Sequence, residues 1–380
     1  MPESHSALPV TSLFGLNLSP GKLRGLQRIC NPNGTLTMVA TDQNSAMIGL
    51  IKKCGKYKDR KDYEPSYDEV VEAKIDLTQA LAPHASALLT DAFYGALNIV
   101  ASFSLPPSTG MLVRIEKSGE KFKGGPADGL AKAAYEPGLS VGKVKRMGAD
   151  AVKLLAPYEP GEPNSAEHQF AFVQEIYDEC RKHDILMLLE PVAMELNLPG
   201  GGKEKKTDPR FLNRKAETVI ESARHLSRYC DVYKAEFPGT LGHESAPKLE
   251  ENLRQLSAAC ARPWVLLSAG VDYPQYKQQV EMAMKCGASG VLGGRAFWQE
   301  YFQHDTPAAR AEFARGECVK RVKEIDAIVK RDATPWFARY GLKKEQLTRI
   351  RVAEGWHKRY GGHVGGDTAG GSNYDPTSAY

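Results

Sequence analysis

Paired cysteine chemistry is missing from this chain of 380 residues: its seven Cys, at 30, 54, 180, 230, 260, 286 and 318, are odd in number and form no CxxC. Neither a disulfide framework nor a zinc ribbon is expected, and a reducing cytoplasm fits best. An excess of one charge is missing too. The 50 Lys plus Arg against 46 Asp plus Glu leave a net +4, too little to predict a nucleic-acid partner, although phosphorylated metabolites remain compatible with it. No apolar run reaches the ~18 residues of a membrane span, and Met1 to Val10 lacks the basic start and apolar stretch of a secretory leader. Membrane and secreted classes are therefore not expected. What is present, 42% apolar and 25% charged side chains, is ordinary globular composition with enough length for one large core or two smaller ones.

Short runs rich in Val, Leu and Ala recur, each followed by a polar segment of helical periodicity. Eight are counted: Leu36 to Asp42, Ala87 to Ala92, Met111 to Glu116, Ala149 to Leu155, Ile185 to Glu190, Asp231 to Glu236, Trp264 to Ala269 and Ser289 to Gly293. Most are almost continuously apolar, as strands covered on both faces must be. Amphipathic helices are predicted over Tyr67 to Leu81, Leu139 to Met147, Ser165 to His183, Asn213 to Tyr229, Pro247 to Ala261 and Tyr273 to Lys285. Strand then helix, repeated eight times, reads as an α/β fold of the (β/α)8 (TIM) barrel type. A doubly wound sheet would place a glycine fingerprint after an early strand, where this chain has Gln43-Asn44-Ser45-Ala46.

Four segments follow. Residues 1–35 form an N-terminal extension with an amphipathic stretch around Lys22 to Arg28 that could plug the barrel bottom, and 36–305 form the barrel. Residues 306–360 form a C-terminal helical extension, the stretch from Ala308 to Arg351 being charged and helical in pattern. Residues 361–380 are Gly-rich with almost no large aliphatics, and are expected to be flexible because they cannot bury enough surface to offset chain entropy. Two polar loops, Ser118 to Gly129 and Pro199 to Pro209, follow the third and fifth strands on the face where barrels place their chemistry.

Residues of like parity along a strand point the same way. Asp42 aligns with Met38 and Ala40; Arg114 and Glu116 with Leu112; Lys153 with Ala151; Glu190 with Leu188; Lys234 and Glu236 with Val232; and Ser268 with Leu266. Six strands thus deliver polar groups to one rim. A single strand-end Lys more often snorkels to solvent, but buried charges cost several kcal/mol each unless paired or ligand-bound, so their convergence points to a site.

Two lysines with a carboxylate suggest Schiff-base chemistry. An amine attacks a carbonyl only when unprotonated, whereas an exposed Lys has a pKa near ~10.4; desolvation and a neighbouring ammonium lower it. The carboxylate then serves as general acid and base while a carbon–carbon bond breaks. Metal-assisted cleavage would need a cluster of His and carboxylates. The nine His do not supply one, and His243, the only one just beyond a strand end, reads as a loop hydrogen-bonder. No metal or organic cofactor is expected. The last two strands end in Ser268-Ala269-Gly270 and Gly293-Gly294-Arg295, where glycine turns, a hydroxyl and a guanidinium suit a phosphate.

These residues resemble a known family, the class I tagatose 1,6-bisphosphate aldolases and their relative that cleaves 6-deoxy-6-sulfofructose 1-phosphate. The likeness covers roughly Leu36 to Trp298. It rests on Asp42-Gln43, Gly148-Ala149-Asp150-Ala151-Val152-Lys153-Leu154, Leu189-Glu190, Asp231-Val232-Tyr233-Lys234-Ala235-Glu236, Leu267-Ser268-Ala269-Gly270 and Gly290-Val291-Leu292-Gly293-Gly294-Arg295-Ala296. The resemblance implies that Lys234 forms the Schiff base, Glu190 transfers protons, and Lys153 tunes the amine and holds a substrate hydroxyl. It also implies that Asp42 and Gln43 contact substrate hydroxyls, while Ser268, Gly270, Gly294 and Arg295 hold the phosphate of the ketone half. The family typically carries Arg directly after the Asp-Gln pair; this chain has Asn44. Lys203, Lys205 and Lys206 could supply that charge, or the far end of the substrate could be uncharged.

The expectation is a Schiff-base aldolase reversibly cleaving a phosphorylated ketose, tagatose 1,6-bisphosphate-like, to dihydroxyacetone phosphate and an aldehyde. Alternatives are a sulfosugar, deoxy-sugar or ketose monophosphate substrate, and a noncatalytic sugar-phosphate sensor, against which the presence of Lys153, Lys234 and Glu190 argues. Beyond the ketose, a homo-oligomer is the one partner class kept open, with Tyr273 to Lys285 and the stretch beyond Ala308 as possible interface faces.

Overall fold

Every one of the eight apolar runs lies on a strand of one closed parallel barrel. The strands are β1 (Leu36–Ala40), β2 (Ala87–Asp91), β3 (Gly110–Arg114), β4 (Ala151–Pro157), β5 (Leu186–Val192), β6 (Val232–Ala235), β7 (Trp264–Leu267) and β8 (Gly290–Gly293). They neighbour one another in chain order, and β8 returns to pair with β1. The structure is a computed structural model describing residues 11–16, 18–54, 60, 62–117, 132–198, 204–358 and 360. The tail 361–380, the loop Ser118 to Gly129 and residues 199–203 of the next loop, Lys203 included, lie outside the described residues. No helix among the described residues is long and apolar enough to cross a membrane.

The near-continuous apolarity of the strands follows from burial on both faces, with every residue of β1, β2 and β3 buried. One parity, including Met38, Leu89, Leu112 and Leu188, fills the lumen; the other, including Val39, Val113 and Leu189, packs against the helical ring. One parity assignment needs correction. Leu266, expected to share the lumen side with Ser268, belongs to the outer layer, and Val265 belongs to the lumen. Ser268 instead reaches the rim through the turn after β7, where Ala269 (φ 48°) and Gly270 (φ 76°) are both left-handed. Gly290 closes the barrel as only glycine can: its φ is +150°, and a Cβ there would lie 1.8 Å from the Leu36 carbonyl oxygen.

The helices Tyr67–Leu81 and Tyr273–Lys285 occupy the expected ranges. The first opens with a capping box between Ser66 and Glu69, and in the second Asp272 accepts from the Gln275 N–H. Helices Asn44–Lys52 and Ala96–Ala101 were not foreseen, being too short to show a clear period. At the barrel bottom the helix Pro20–Ile29 inserts Leu26 and Ile29 into the lumen cluster. Lys22 Nζ there donates to both Asp231 oxygens at 3.0 and 2.9 Å, while Asp231 also accepts from the Met187 N–H at 2.8 Å. The plug is thus both packed and ion-paired.

In the C-terminal extension, Pro307–Phe313, a π-helical turn and Val319–Asp332 form a helical arm. It docks on Tyr273–Lys285 through Tyr273 Oη to Glu324 at 2.7 Å and Lys277 to Glu324 at 3.3 Å. The two faces considered for an intermolecular interface are therefore partly used within the chain. The helical pattern expected through Arg351 stops at Asp332: Ala333 is extended and Pro335 follows, which a helix cannot accommodate. Short 3-10 turns then lead to the strand Ile350–Arg351, which pairs in parallel with Thr11–Ser12.

Replacing Lys22 by Met strands the Asp231 carboxylate in a buried position. We expect a loss of about 3–5 kcal/mol in urea unfolding, the cost of breaking a buried pair from one side; a midpoint within error of the parent would show that the plug does not depend on this pair.

Candidate active site

The upper lumen is lined by charge because the inward parity of five strands, β1 and β3 to β6, continues past the last aliphatic layer. Lys153, inward on β4, lies 3.1 Å from Asp42 Oδ2, 2.7 Å from Glu116 Oε1 and 3.1 Å from Glu190 Oε2. Lys234, inward on β6, lies 2.9 Å from the other oxygen of the same Glu190. One carboxylate therefore bridges two lysines, and all five groups are buried. Arg114, the register partner of Lys153, donates from Nη1 to the Asp42 carbonyl at 2.6 Å. Two cations on adjacent strands are tolerated here because carboxylates lie between and around them.

The two lysines are not equivalent. Burial disfavours the Lys153 ammonium, yet the charges of Asp42, Glu116 and Glu190 outweigh it and raise the pKa well above the ordinary value. Lys153 is thus a fixed cation, whereas Lys234 is paired among the described residues with one carboxylate, which it shares. Burial would also raise Asp42, but Lys153, Lys234 and Arg114 hold it down at about 2. Glu116 goes the other way: burial pushes it up, and Lys153 and Arg114 offset this only in part. Glu236, also inward, accepts from the Ala193 N–H at 2.7 Å and shapes the chain after β5.

At the opposite wall the Ser268 hydroxyl accepts from the Gly294 N–H at 3.3 Å. Arg295 lies against the left-handed turn so closely that a Cβ on Gly270 would sit 2.6 Å from its Cζ. It is in no ion pair among the described residues. Gln43 connects this wall to the charged one: its Nε2 donates to Asp42 Oδ1 at 2.6 Å, and its Oε1 would be 3.0 Å from a Cβ on Gly294. The nine residues singled out from sequence (Asp42, Gln43, Lys153, Glu190, Lys234, Ser268, Gly270, Gly294 and Arg295) therefore form one contiguous surface. Four polar atoms in the same region, Gln43 Oε1, Asn44 Oδ1, Arg114 Nε and Glu116 Oε2, are buried with no hydrogen-bond partner among the described residues. Such atoms are uncommon in folded proteins, and four in one region call for a water or a ligand as partner.

Sequence reasoning noted Arg114 and Glu116 at the rim without giving them a role, and it missed Lys74 entirely. Lys74, fully buried, pairs with Asp91 Oδ2 at 2.7 Å and donates to the Thr41 carbonyl beside Asp42. Burial lowers its pKa despite Asp91. The signal was available: Lys74 shares the helix face of Val70, Leu77 and Leu81, where a solvated Lys does not belong. Of the charges proposed for the far end, Lys205 and Lys206 are exposed. His243 hydrogen-bonds Asn213 Oδ1 at 3.0 Å through Nε2, as a loop residue does.

Residues 37–300 match the family model described as DeoC/LacD family aldolase. The tagatose 1,6-diphosphate aldolase of Listeria monocytogenes is 30% identical over 345 residues, spanning 86% of this chain and 96% of that protein. Among solved structures, a fructose-bisphosphate aldolase from Slackia heliotrinireducens superposes with a TM-score of 0.56 at 15% identity, over 88% of this chain and 94% of that one. A Schiff base forming fructose-1,6-bisphosphate aldolase gives 0.51 at 15% identity, over 81% and 99%. At that identity the two structures speak for the barrel alone.

The charge cluster yields a pH-dependent expectation. Asp42, held at about 2 against an ordinary 3.8, stabilises the fold above pH ~4, and that contribution fades as pH falls towards ~2. In Lys153→Met the crowded carboxylates titrate above their unfolded values, so the sign reverses and stability is lost as pH rises. Urea midpoints of parent and variant should differ most at pH 8 and converge towards pH 4; a gap independent of pH would show that Lys153 does not hold these groups ionised.

Proposed function

Because the chain belongs to the DeoC/LacD family of aldolases, we propose that it works by the Schiff-base (class I) route, reversibly cleaving a phosphorylated ketose, tagatose 1,6-bisphosphate-like, into dihydroxyacetone phosphate and an aldehyde in the cytoplasm. The observation that carries this reading is the unequal sharing of Glu190: a lysine fixed as a cation by three carboxylates on one side, a lysine paired among the described residues with this carboxylate alone on the other. Lys234 passes a proton to Glu190 and its amine attacks the ketone carbon. The carbinolamine hydroxyl takes the proton back and leaves as water, forming the iminium. A base then removes the proton of the hydroxyl two carbons from the iminium carbon; the intervening carbon–carbon bond breaks, the aldehyde leaves, and the electron pair moves to the nitrogen as an enamine. Protonation at carbon and hydrolysis return Lys234 and release the ketone half.

Lys153 and Asp42, paired directly at 3.1 Å, offer a donor and an acceptor side by side for one substrate hydroxyl. Ser268, Gly270, Gly294 and Arg295 supply hydroxyl, backbone and guanidinium groups for the phosphate of the ketone half. A second substrate reading draws on Asn44. Its carboxamide, whose Oδ1 is buried without a hydrogen-bond partner among the described residues, carries no charge and can meet a hydroxyl as acceptor or donor, whereas the Arg typical of the family suits an anion. This favours a ketose monophosphate or deoxy-sugar phosphate over a bisphosphate or sulfosugar.

We also assign self-association to one face. Five of the six large apolar side chains exposed among the described residues, Tyr67, Phe93, Leu97, Val100 and Phe103 together with Val352 elsewhere, lie on or beside the helix Ala96–Ala101. Their combined exposed surface is on the order of 500 Å², a large share of the ~800 Å² each subunit contributes to a standard interface. From Ala92 to Thr109 the chain has no charged residue, so two copies can meet there without opposing like charges. Leu97→Glu with Phe93→Ser should shift the sedimentation coefficient to that of a monomer; a parent already monomeric would remove the assignment.

Borohydride reduction in the presence of a ketose phosphate should add the substrate mass to Lys234, and Lys234→Met should abolish the adduct; labelling at another lysine would overturn the role. In Glu190→Gln the adduct should still form while turnover drops by about 10²–10⁴-fold, the usual share of a proton-transfer group. Comparing kcat/KM for ketose 1-phosphates and 1,6-bisphosphates decides between the two substrate readings.

A further inference from the structure

At the end of the barrel away from the charged rim, the two extensions line a half-open pocket of about 870 Å³. Its floor is the start of the first three strands (Gly34, Ala85 and Ser108), one wall is the plug helix (Leu23, Gln27 and Cys30), and the other is the segment from Trp336 to Val352. That volume lies within the range of small-molecule sites, ~300–1,000 Å³. The lining is dominated by apolar groups, with Trp336, Phe337, Leu347 and Ile350 on the outer wall. Among the described residues no carboxylate lines it, whereas two cations, Lys344 and Arg351, do. Neither is in an ion pair among the described residues, and Arg351 uses Nη1 for the Thr348 and Ile350 carbonyls at 2.6 and 2.8 Å, which keeps the guanidinium at the mouth.

An apolar chamber with uncompensated positive charge at its entrance selects a ligand with a hydrophobic body and one anionic end. A ketose phosphate, hydroxylated along its length, would leave its hydroxyls unpaired against Leu23, Phe337 and Leu347. We propose that this cavity is a second binding site, separate from the catalytic rim, for an aromatic or aliphatic organic anion whose carboxylate, sulfonate or phosphate meets Lys344 and Arg351. The site is built by the extensions and is independent of the chemistry assigned to the rim.

The probe for the test is 8-anilinonaphthalene-1-sulfonate, an aromatic anion, with the uncharged N-phenyl-1-naphthylamine as its counterpart, both titrated into the folded full-length chain. The anion should bind saturably, with energy transfer from Trp336 that Trp336→Phe diminishes. Lys344→Glu with Arg351→Glu, both exposed positions, should weaken the anion by about tenfold or more, the scale of a lost charge-assisted contact, and leave the neutral probe within about twofold. Ser108→Phe, which fills the floor, should reduce both. Absence of saturable binding overturns the proposal, as does binding that the charge reversals leave unchanged. A chain lacking residues 1–10 that binds the probe when the full chain does not overturns it too, because the cavity would then be closed by the chain's own N-terminus.

Discussion

The upper half of this barrel depends on one ammonium group. Lys153 touches three carboxylates from three other strands, Asp42 after β1, Glu116 after β3 and Glu190 on β5, at 2.7–3.1 Å. Without a cation among them these acids could not all be ionised in a space with so little water, since like charges a few ångströms apart in a low-dielectric site repel by several kcal/mol. With it, Asp42 stays ionised down to about 2, and Glu190 is left with one oxygen for Lys153 and one for Lys234. The same contacts that make the cluster foldable thus hold Lys153 as a cation and leave Lys234 one oxygen of the shared carboxylate.

Lys234 gains from this arrangement without joining it. Its carboxylate partner is already engaged, and a second cation, Lys153, stands on the far side of that partner. The opposite wall adds no competing acid: Ser268, Gly270, Gly294 and Arg295 are neutral or cationic, and Gln43 spans the gap through an amide. The rim is therefore divided into a half that carries the carboxylates and both lysines and a half that carries neither.

Much of this was legible in the sequence because a strand has only two faces. Once Val232, Lys234 and Glu236 share a parity and the run is too apolar to be half exposed, the lysine is directed into the lumen by geometry alone. The same reasoning failed at β7. Strand parity ends where the strand ends, and the left-handed Ala269 and Gly270 re-aim Ser268 after Leu267. Lys74 was missed for a related reason: it enters the region from a helix, between β1 and β2, so no strand rule could find it. The extensions were legible in part. Lys22 to Arg28 announced an amphipathic plug, but the partner of Lys22 is Asp231, 209 positions away, and no local pattern reveals a pairing at that distance.

Asp231 also ties the two ends of the barrel together. It stands just below β6, a strand of only four residues, Val232–Ala235, with Lys234 the third of them. From below, Asp231 is fixed by Lys22 and by the Met187 N–H of β5; from above, Lys234 is fixed by Glu190, also on β5. A short strand held at both ends to the same neighbour has little freedom to slide or tilt. A nucleophilic amine needs this, because its approach to a carbonyl tolerates errors of only about half an ångström. The barrel bottom, which carries no chemistry in this reading, thereby sets the precision of the group that does.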